Sequence, residues 1–152
     1  MSGLHQLVVF WLNGRRFGLR LTAVRRVVRA VEVTPLPEAP PIVLGVINVQ
    51  GELVPVFNLR KRLELPEREM ELTDQMIIAQ ARLHTVALVA DEITGVLDYA
   101  ENDLVDAEKV LSELPHVQGI LKLADGLVLI EDLDRFLSLK EERALEVAMS
   151  RV

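Results

Sequence analysis

Short apolar segments separated by turn residues recur along the chain, and this pattern limits the folds that the chain can adopt. The clearest case is a hairpin in which residues 7–12 and 16–21 flank Asn13-Gly14. A two-residue hairpin turn requires positive φ at both positions, which asparagine and glycine tolerate best. Turn signals that recur about every 8–12 residues between short strands are typical of a barrel or a sandwich. We therefore predict a mainly β fold.

Three further strand pairs are predicted after the first hairpin, each formed by two apolar segments around a short turn. Pro55 lacks the backbone N–H that a sheet ladder uses, which predicts an edge strand or a bulge at that position. No internal repeat is evident. The pairs are 46–50 with 53–57 around Gly51-Glu52, 76–80 with 86–90 joined near His84, and 119–123 with 127–130 around Asp125-Gly126.

Short helices are predicted where capping residues precede apolar positions. Ser138 and Glu141 form a capping-box pattern, which predicts a C-terminal helix that ends near Met149. Shorter helical turns are predicted after Thr22, after Asn58 and over residues 132–137. The proline-rich residues 35–41 are predicted to form an ordered loop, and the charged residues 64–74 an exposed one.

Charge is divided unevenly along the chain. Residues 1–62 carry nine basic and three acidic side chains, whereas the remaining residues carry eight basic and twenty acidic ones. Such a division bears on binding partners more than on the fold. Two interpretations stay open: folding interleaves the halves and cancels the field, or a basic surface remains for a partner.

Composition excludes several classes of protein. The chain has no cysteine, so disulfides, thiolate metal sites and cysteine nucleophiles are excluded. Its length of 152 residues fits one domain, and half of its residues are hydrophobic, which suffices for a core. The longest apolar run, residues 7–12, is far shorter than the roughly 20 residues that span a bilayer. With no signal peptide apparent, we expect a soluble, cytoplasmic protein without membrane insertion.

Catalytic patterns are not found. The histidines His5, His84 and His116 lack the helical spacing of a metal site, and we expect them at the solvated surface. The acidic pairs Asp91-Glu92 and Asp132/Asp134 are the best candidates for acid/base chemistry, but acids at strand ends usually form turns. No serine lies in a nucleophile elbow, and no glycine-rich phosphate loop occurs. We predict neither an enzyme nor a cofactor.

The basic first part of the chain could instead indicate binding of single-stranded nucleic acid, which small barrels bind with basic and stacking aromatic residues. However, Phe10, Trp11 and Phe17 lie in apolar or alternating segments, where burial in the core is the simpler expectation. The net charge of −6 also opposes phosphate binding. We therefore predict no nucleic-acid partner.

Three stretches together resemble the CheW-like domain family. The most specific is residues 42–60, which follow the family pattern G-V-x-N-L-R-G-x-x-x-P-V-x-D-L-R at Gly45, Asn48, Gly51 and Pro55. The opening hairpin and residues 117–130 resemble the first and last hairpins of the family. These matches occur in family order and span nearly the whole chain.

The resemblance implies a fold and a function. The fold is two intertwined five-stranded SH3-like barrels with a shared apolar interface, short helices and a C-terminal helix, in a single domain over residues 1–152. The function is that of a non-catalytic cytoplasmic chemotaxis adaptor. It couples the regulatory domain of a CheA-type histidine kinase to the cytoplasmic hairpin tip of methyl-accepting chemoreceptors. Barrel-end apolar contacts engage the kinase, and a groove between the barrels takes the receptor.

Six residues are carried over as kinase- or receptor-binding candidates. Val24 matches the kinase-facing valine of the family, and Gly45 matches a glycine near both partner surfaces. Asn48 and Gly51 match the central motif, where turn and barrel geometry is the simpler explanation. Two further candidates, Arg26 and Gln50, stand where the family commonly has glutamate and arginine.

These two departures predict altered partners. Arg26 reverses the charge that a partner meets, and Gln50 cannot form the bidentate ion pair that arginine makes with a carboxylate. The replacement of the usual motif aspartate by Asn58 is milder. The sequence therefore indicates an adaptor for charge-altered relatives of the usual kinase and receptors. The alternative is a diverged CheW-like protein that regulates another complex without coupling kinase to receptor.

Overall fold

The computed structural model describes residues 4–105 and 117–152. These residues include strands, helices and three 3-10 turns. The turns are Leu21–Ala23, Glu101–Asp103 and Leu133–Arg135. The strands are β1 (Leu4–Leu12), β2 (Arg15–Arg20), β3 (Val24–Arg29), β4 (Val43–Val49), β5 (Glu52–Phe57), β6 (Gln75–Gln80), β7 (Thr85–Ala90), β8 (Glu92–Ala100), β9 (Leu104–Val105), β10 (Val117–Leu123) and β11 (Gly126–Glu131). The helices are α1 (Leu59–Arg62) and α2 (Leu139–Ser150).

The described strands form two sheets, and each sheet closes on itself. In the first, of order β3-β6-β7-β5-β4, the chain that leaves β3 pairs with β4 at Thr34 and Val46. In the second, of order β8-β1-β2-β11-β10-β9, β9 follows β8 after one 3-10 turn. We call these barrel 1 and barrel 2. The predicted mainly β, two-barrel fold is confirmed, with the short β9 as a sixth strand of barrel 2.

Strands between the barrels are buried on both faces. Successive side chains of a strand point to opposite faces, so Ile78 packs inside barrel 1 while Ile77 packs in a cluster that both barrels share. In β1, Val9 lies inside barrel 2 and Phe10 in the shared cluster. Helix α2 adds Leu145 to that cluster. This double burial explains the continuous apolar runs in these strands.

Strands β1–β5 and β6–β11 are two copies of one structural unit. In the β3–β6 pair, Arg25 bulges out between the paired residues Val24 and Arg26. In the equivalent β8–β1 pair, Thr94 bulges out between Ile93 and Gly95. Both copies also contain one parallel pairing, β5 with β7 and β11 with β2. Each barrel combines the hairpin of one copy with the later strands of the other, so the copies exchange hairpins.

Most predicted elements are present, including all four strand pairs and the three helices or turns after Asn58, Asp132 and Ser138. The expected helical turn over residues 23–26 is wrong, because the 3-10 turn ends at Ala23 and β3 starts at once. The prediction of an edge strand or a bulge at Pro55 is also wrong, and the register shift of the β4–β5 pair falls between Val43 and Gly45 instead. Strand β5 lies between β4 and β7, but its pairing with β7 covers only Val56 and Phe57, so no β7 ladder reaches the proline.

Two further expectations are corrected. The charged segment 64–74 is anchored and not a fully exposed loop, since Leu65 is buried and Asp74 is only 2% exposed. The sequence shows no repeat, yet the structure contains one. Few equivalent residues are identical, and what the two copies share is mainly the pattern of apolar positions and turns.

Candidate docking surface

A cleft lies at the seam of barrel 1, where β3 and the end of β4 separate. Its volume is about 300 Å³. Arg25 and Arg26 of β3 line it together with Gln50 of the β4–β5 turn. Val49 and Ile78 supply apolar surface. We call this space cleft 1. It brings together Arg26 and Gln50, the two candidate residues that depart from the family pattern.

The wall arginines of cleft 1 differ in their partners. Arg25 Nη1 lies 3.4 Å from a carboxylate oxygen of Glu52 and donates a hydrogen bond to Thr85 Oγ1 at 3.0 Å. Arg26 is exposed and has no ion-pair partner among residues 4–105 and 117–152. Its position follows from the bulge at Arg25, which pairs Arg26 with Ile78 across the β3–β6 ladder.

The turn beside cleft 1 is fixed by its own residues. Gln50 and Gly51 both have positive φ, at 51° and 88°, as a two-residue hairpin turn requires. Asn48 Oδ1 accepts a hydrogen bond from the Gly51 N–H at 2.7 Å. Asn48 and Gly51 therefore hold the turn that presents Gln50.

The other two candidates lie away from cleft 1. Val24 is partly buried and packs against the shared apolar cluster. Gly45 is buried at φ 154°, and a Cβ there would lie 2.2 Å from the Thr34 carbonyl oxygen. Only glycine therefore lets the chain after β3 close barrel 1 against β4.

Barrel 2 has an equivalent cleft, which we call cleft 2. Its volume is about 320 Å³. Thr94 and Gly95 occupy the places that Arg25 and Arg26 take in cleft 1. Trp11, Val96 and Leu123 make cleft 2 largely apolar. Sequence reasoning did not single out this cleft, because it assigned Trp11 to the core and did not detect the repeat.

A larger groove, of about 570 Å³, lies beside segment 64–74. Val33, Leu44 and Met70 are among its apolar residues, and none of the six candidates lines it. The groove is not predicted from the sequence, because the many charges of segment 64–74 indicate an exposed loop. The apolar residues Leu65 and Met70 were the available signal that the segment packs against the fold.

Asp91, where the chain crosses from barrel 1 to barrel 2, joins four segments at the rim of this groove. Its carboxylate accepts hydrogen bonds from Arg60 at 2.6 Å, Arg68 at 2.7 Å and the Asn13 N–H at 2.9 Å. Arg68 also forms a bidentate pair with Asp74, at 2.7 and 3.0 Å. Burial favours neutral Asp91, but these donors outweigh it and hold the pKa of Asp91 below its ordinary value of 3.8.

Both interpretations of the charge division hold in part. Arg16 pairs with Asp125, Arg60 with Asp91 and Arg62 with Glu141, so basic side chains of residues 1–62 meet acidic ones of the later part. Arg20, Arg26 and Arg29 remain exposed without an ion-pair partner in the described ranges. Exposed basic side chains therefore remain on β3 and at the end of β2.

The acidic pairs considered for chemistry hold backbone in place. Asp132 accepts from the Asp134 N–H at 3.0 Å, and Asp134 accepts from the Arg82 N–H at 2.6 Å. His5 is exposed, but His84 is half-buried with an enclosed Nε2 and is not the solvated residue expected. His116, Ser2 and Ser112 lie outside the described residues.

Within the part of the chain that the structure describes, no group of three or more metal-ligating side chains occurs. In the same ranges, no helix combines the length and apolar character that crossing a membrane requires.

Known proteins share this two-barrel arrangement. The CheW-like domain family matches residues 6–141. The chain belongs to this family. It is 31% identical to the chemotaxis protein CheW of Bacillus subtilis strain 168 over 134 residues, 87% of this chain and 86% of that protein. It is 26% identical to CheW of Rhizobium meliloti strain 1021 over 145 residues, 94% of both chains.

A solved structure supports the same assignment. The crystal structure of the scaffolding protein TtCheW from Thermoanaerobacter tengcongensis superimposes with a TM-score of 0.82 at 28% identity. The superposition covers 90% of this chain and 94% of that one. Membership of the CheW-like domain family supports a chemotaxis adaptor role for this chain.

Proposed function

We propose that this protein is a non-catalytic cytoplasmic adaptor that couples a CheA-type histidine kinase to methyl-accepting chemoreceptors. The observation that carries the proposal is the convergence of family-motif positions on cleft 1, which Arg26 and Gln50 both line. In this proposal residues 1–152 act as a single CheW-like domain whose barrels share one apolar interface. No cofactor takes part, and binding is the whole of the activity.

The kinase site is proposed at cleft 1 and its rim. Arg26 and Gln50 contact the kinase regulatory domain, while Asn48 and Gly51 hold the turn that positions Gln50. Gly45 and Val24 lie outside cleft 1 and act by holding barrel 1 in shape, since Gly45 lets β4 approach the chain after β3 and Val24 packs against the shared cluster. A small apolar anchor within a polar rim is the usual composition of a specific protein interface.

The receptor site is proposed at the groove beside Asp91. Its apolar residues Val33, Leu44 and Met70 fit the apolar face of a helical hairpin tip, and charged residues surround them. This groove and cleft 1 share no lining residue. The two partners therefore bind at once, which an adaptor requires.

Binding measurements test the proposal. We expect the purified protein to bind the regulatory domain of a CheA-type kinase from the same genome, and separately a cytoplasmic receptor fragment, in isothermal titration calorimetry. A sensor kinase without a CheW-like regulatory domain serves as the control and should not bind. Absence of binding to every such kinase and receptor would overturn the adaptor function and leave the fold unaffected.

Arg26 and Gln50 favour one alternative, a diverged CheW-like protein that regulates another complex. That protein would bind one of the two partners, or neither, and would not join them. The same titrations separate the alternatives, because the adaptor binds the receptor fragment equally well when the kinase domain is saturating. Competition between the two partners would favour the alternative.

A further inference from the structure

The exchanged repeat provides an internal reference for each residue of cleft 1. Arg25 and Arg26 occupy the positions of Thr94 and Gly95 in a strand pair with the same bulge. Since barrel 2 closes with threonine and glycine there, the framework does not require arginine at these positions. A pair of charged side chains at exposed positions that the fold leaves free points to binding.

We propose that cleft 1 binds a carboxylate side chain of the partner protein, and that Arg26 is the residue that selects it. This inference rests on the proposed function, because the partner is the protein that the adaptor docks. It adds the chemistry of that partner's contact residue, which is glutamate or aspartate at the centre of the contact.

The contacts of the cleft residues support a carboxylate. Arg25 already engages Glu52, whereas the guanidinium group of Arg26 is free of acidic partners within residues 4–105 and 117–152. An arginine fork matches both oxygens of a carboxylate, and Gln50, which lines the same cleft, has an amide group that can donate to it. The three charged lining residues, two arginines and one glutamate, leave the cleft with a positive charge.

The surroundings of Arg26 strengthen such a pair. Val49 and the buried Ile78 also line the cleft, so part of the wall around a bound carboxylate is apolar. The volume of about 300 Å³ admits one acidic side chain and part of its neighbours. Cleft 2 has Gly95 in place of Arg26, and the arginine that does line it, Arg16, is paired with Asp125, so this cleft suits an apolar side chain better than a carboxylate.

Charge reversal tests the selection with the kinase regulatory domain. We expect Arg26→Glu to weaken binding about thirtyfold or more, because like charges then meet in the contact. Arg29→Glu is the matched control: Arg29 is exposed on the same strand, has no ion pair in the described ranges and does not line cleft 1. It should change affinity less than about threefold.

Reversal of one acidic residue of the partner to lysine should restore binding of Arg26→Glu and not of Arg29→Glu. Equal effects of the two variants, or no effect of Arg26→Glu on a partner that binds the wild type, would overturn the proposal. In that second case the adaptor function would stand, because the kinase domain still binds.

A second measurement does not depend on the kinase. The ¹⁵N-labelled protein is titrated with an acetylated and amidated Leu-Glu-Leu peptide, and with the Leu-Gln-Leu peptide as its uncharged match. We expect saturable NMR shifts centred on Arg26 and Gln50 with the glutamate peptide alone, and their loss in Arg26→Gln. These shifts together with a failure to bind any kinase or receptor would sink the proposed function and spare this inference. No shift at Arg26, or equal shifts with both peptides, would contradict the inference.

Discussion

Barrel 1 and barrel 2 share one strand framework but present different surfaces at their seams. Each has a bulged residue near the start of its seam strand, Arg25 in β3 and Thr94 in β8. The clefts beside these bulges are similar in volume, about 300 and 320 Å³. Cleft 1 is lined by two arginines and a glutamate, whereas cleft 2 is largely apolar and its one arginine, Arg16, pairs with Asp125. The framework therefore fixes where a cleft forms, and side chains that the framework does not constrain set what it binds.

Residues with equivalent roles in both barrels belong to the framework. Asn58 follows β5 and Asp132 follows β11, which are the second strands of two equivalent hairpins. Each side chain accepts a backbone hydrogen bond from the turn that comes next. Leu59 and Leu133 are buried immediately after them. Mutation of such positions should lower the free energy of unfolding, whereas mutation of Arg26 should lower the affinity for the partner.

The largest expected difference between the barrels concerns two equivalent glycines. In Gly45→Ala the new Cβ meets the Thr34 carbonyl at 2.2 Å on a backbone at φ 154°, so we expect a loss of about 3 kcal/mol or more. In Gly119→Ala the nearest atom, Leu104 Cδ2, lies at 3.6 Å, an ordinary contact. This control should lose less than about 1 kcal/mol in urea denaturation. Similar losses of stability in both variants would show that the two barrels do not differ at this glycine.

The next effect concerns Asp91, whose network has no counterpart in barrel 2 among the described residues. Asp91→Asn removes the charge that Arg60 and Arg68 share, and we expect a loss of about 2 kcal/mol in the free energy of unfolding. Asp98→Asn changes an exposed carboxylate of β8, the strand that follows Asp91. Within the described residues this carboxylate accepts a hydrogen bond from Gln6, and its replacement should cost less than about 0.5 kcal/mol. Equal costs would show that the network does not join the barrels.

A smaller effect should be the same in both barrels. Asn58→Ala and Asp132→Ala each remove a side-chain oxygen that accepts a backbone N–H, from Lys61 and Asp134. We expect each to lower the free energy of unfolding by about 1 kcal/mol. Chemical denaturation of both variants checks the equivalence. A difference of more than about 1 kcal/mol would show that the two caps are not equivalent.

The smallest expected effect is a change in pH dependence. The pKa of Asp91 is lowered in the folded protein, so its ionised form contributes stability above the ordinary pKa of 3.8, and this contribution disappears as the pH falls through the folded pKa. The stability gap between wild type and Asp91→Asn should therefore be constant above about pH 5 and shrink in more acidic solution. Urea titrations across this range measure it. A stability difference between wild type and Asp91→Asn that grows in acid would contradict this prediction.

Much of the fold could be predicted because its signals are local. The Asn13-Gly14 turn and the Ser138–Glu141 capping box act over a few residues, and both are present. The prediction at Pro55 was wrong because the number of neighbouring strands that pair with β5 at each residue depends on the whole sheet. The local sequence does not contain that information. The repeat escaped detection because the copies share apolar periodicity and few identical residues.

The site was predictable only in part. Motif positions pointed to Arg26 and Gln50, but only the bulge at Arg25 and the turn at Gln50-Gly51 bring these two side chains to one cleft. The pairing of Arg25 with Glu52 and the absence of an acidic partner for Arg26 within the described ranges depend on three-dimensional placement. The Asp91 network joins residues far apart in sequence, so no local pattern reveals it.

The central claim is that one molecule joins a kinase to a receptor. Sedimentation velocity of three components tests it most directly: this protein, a CheA-type regulatory domain and a cytoplasmic receptor fragment from the same genome. We predict that kinase domain and receptor fragment sediment separately in a two-component mixture and together in one faster boundary when this protein is added. Separate boundaries in the three-component mixture, at concentrations where each binary complex forms, would contradict the claim.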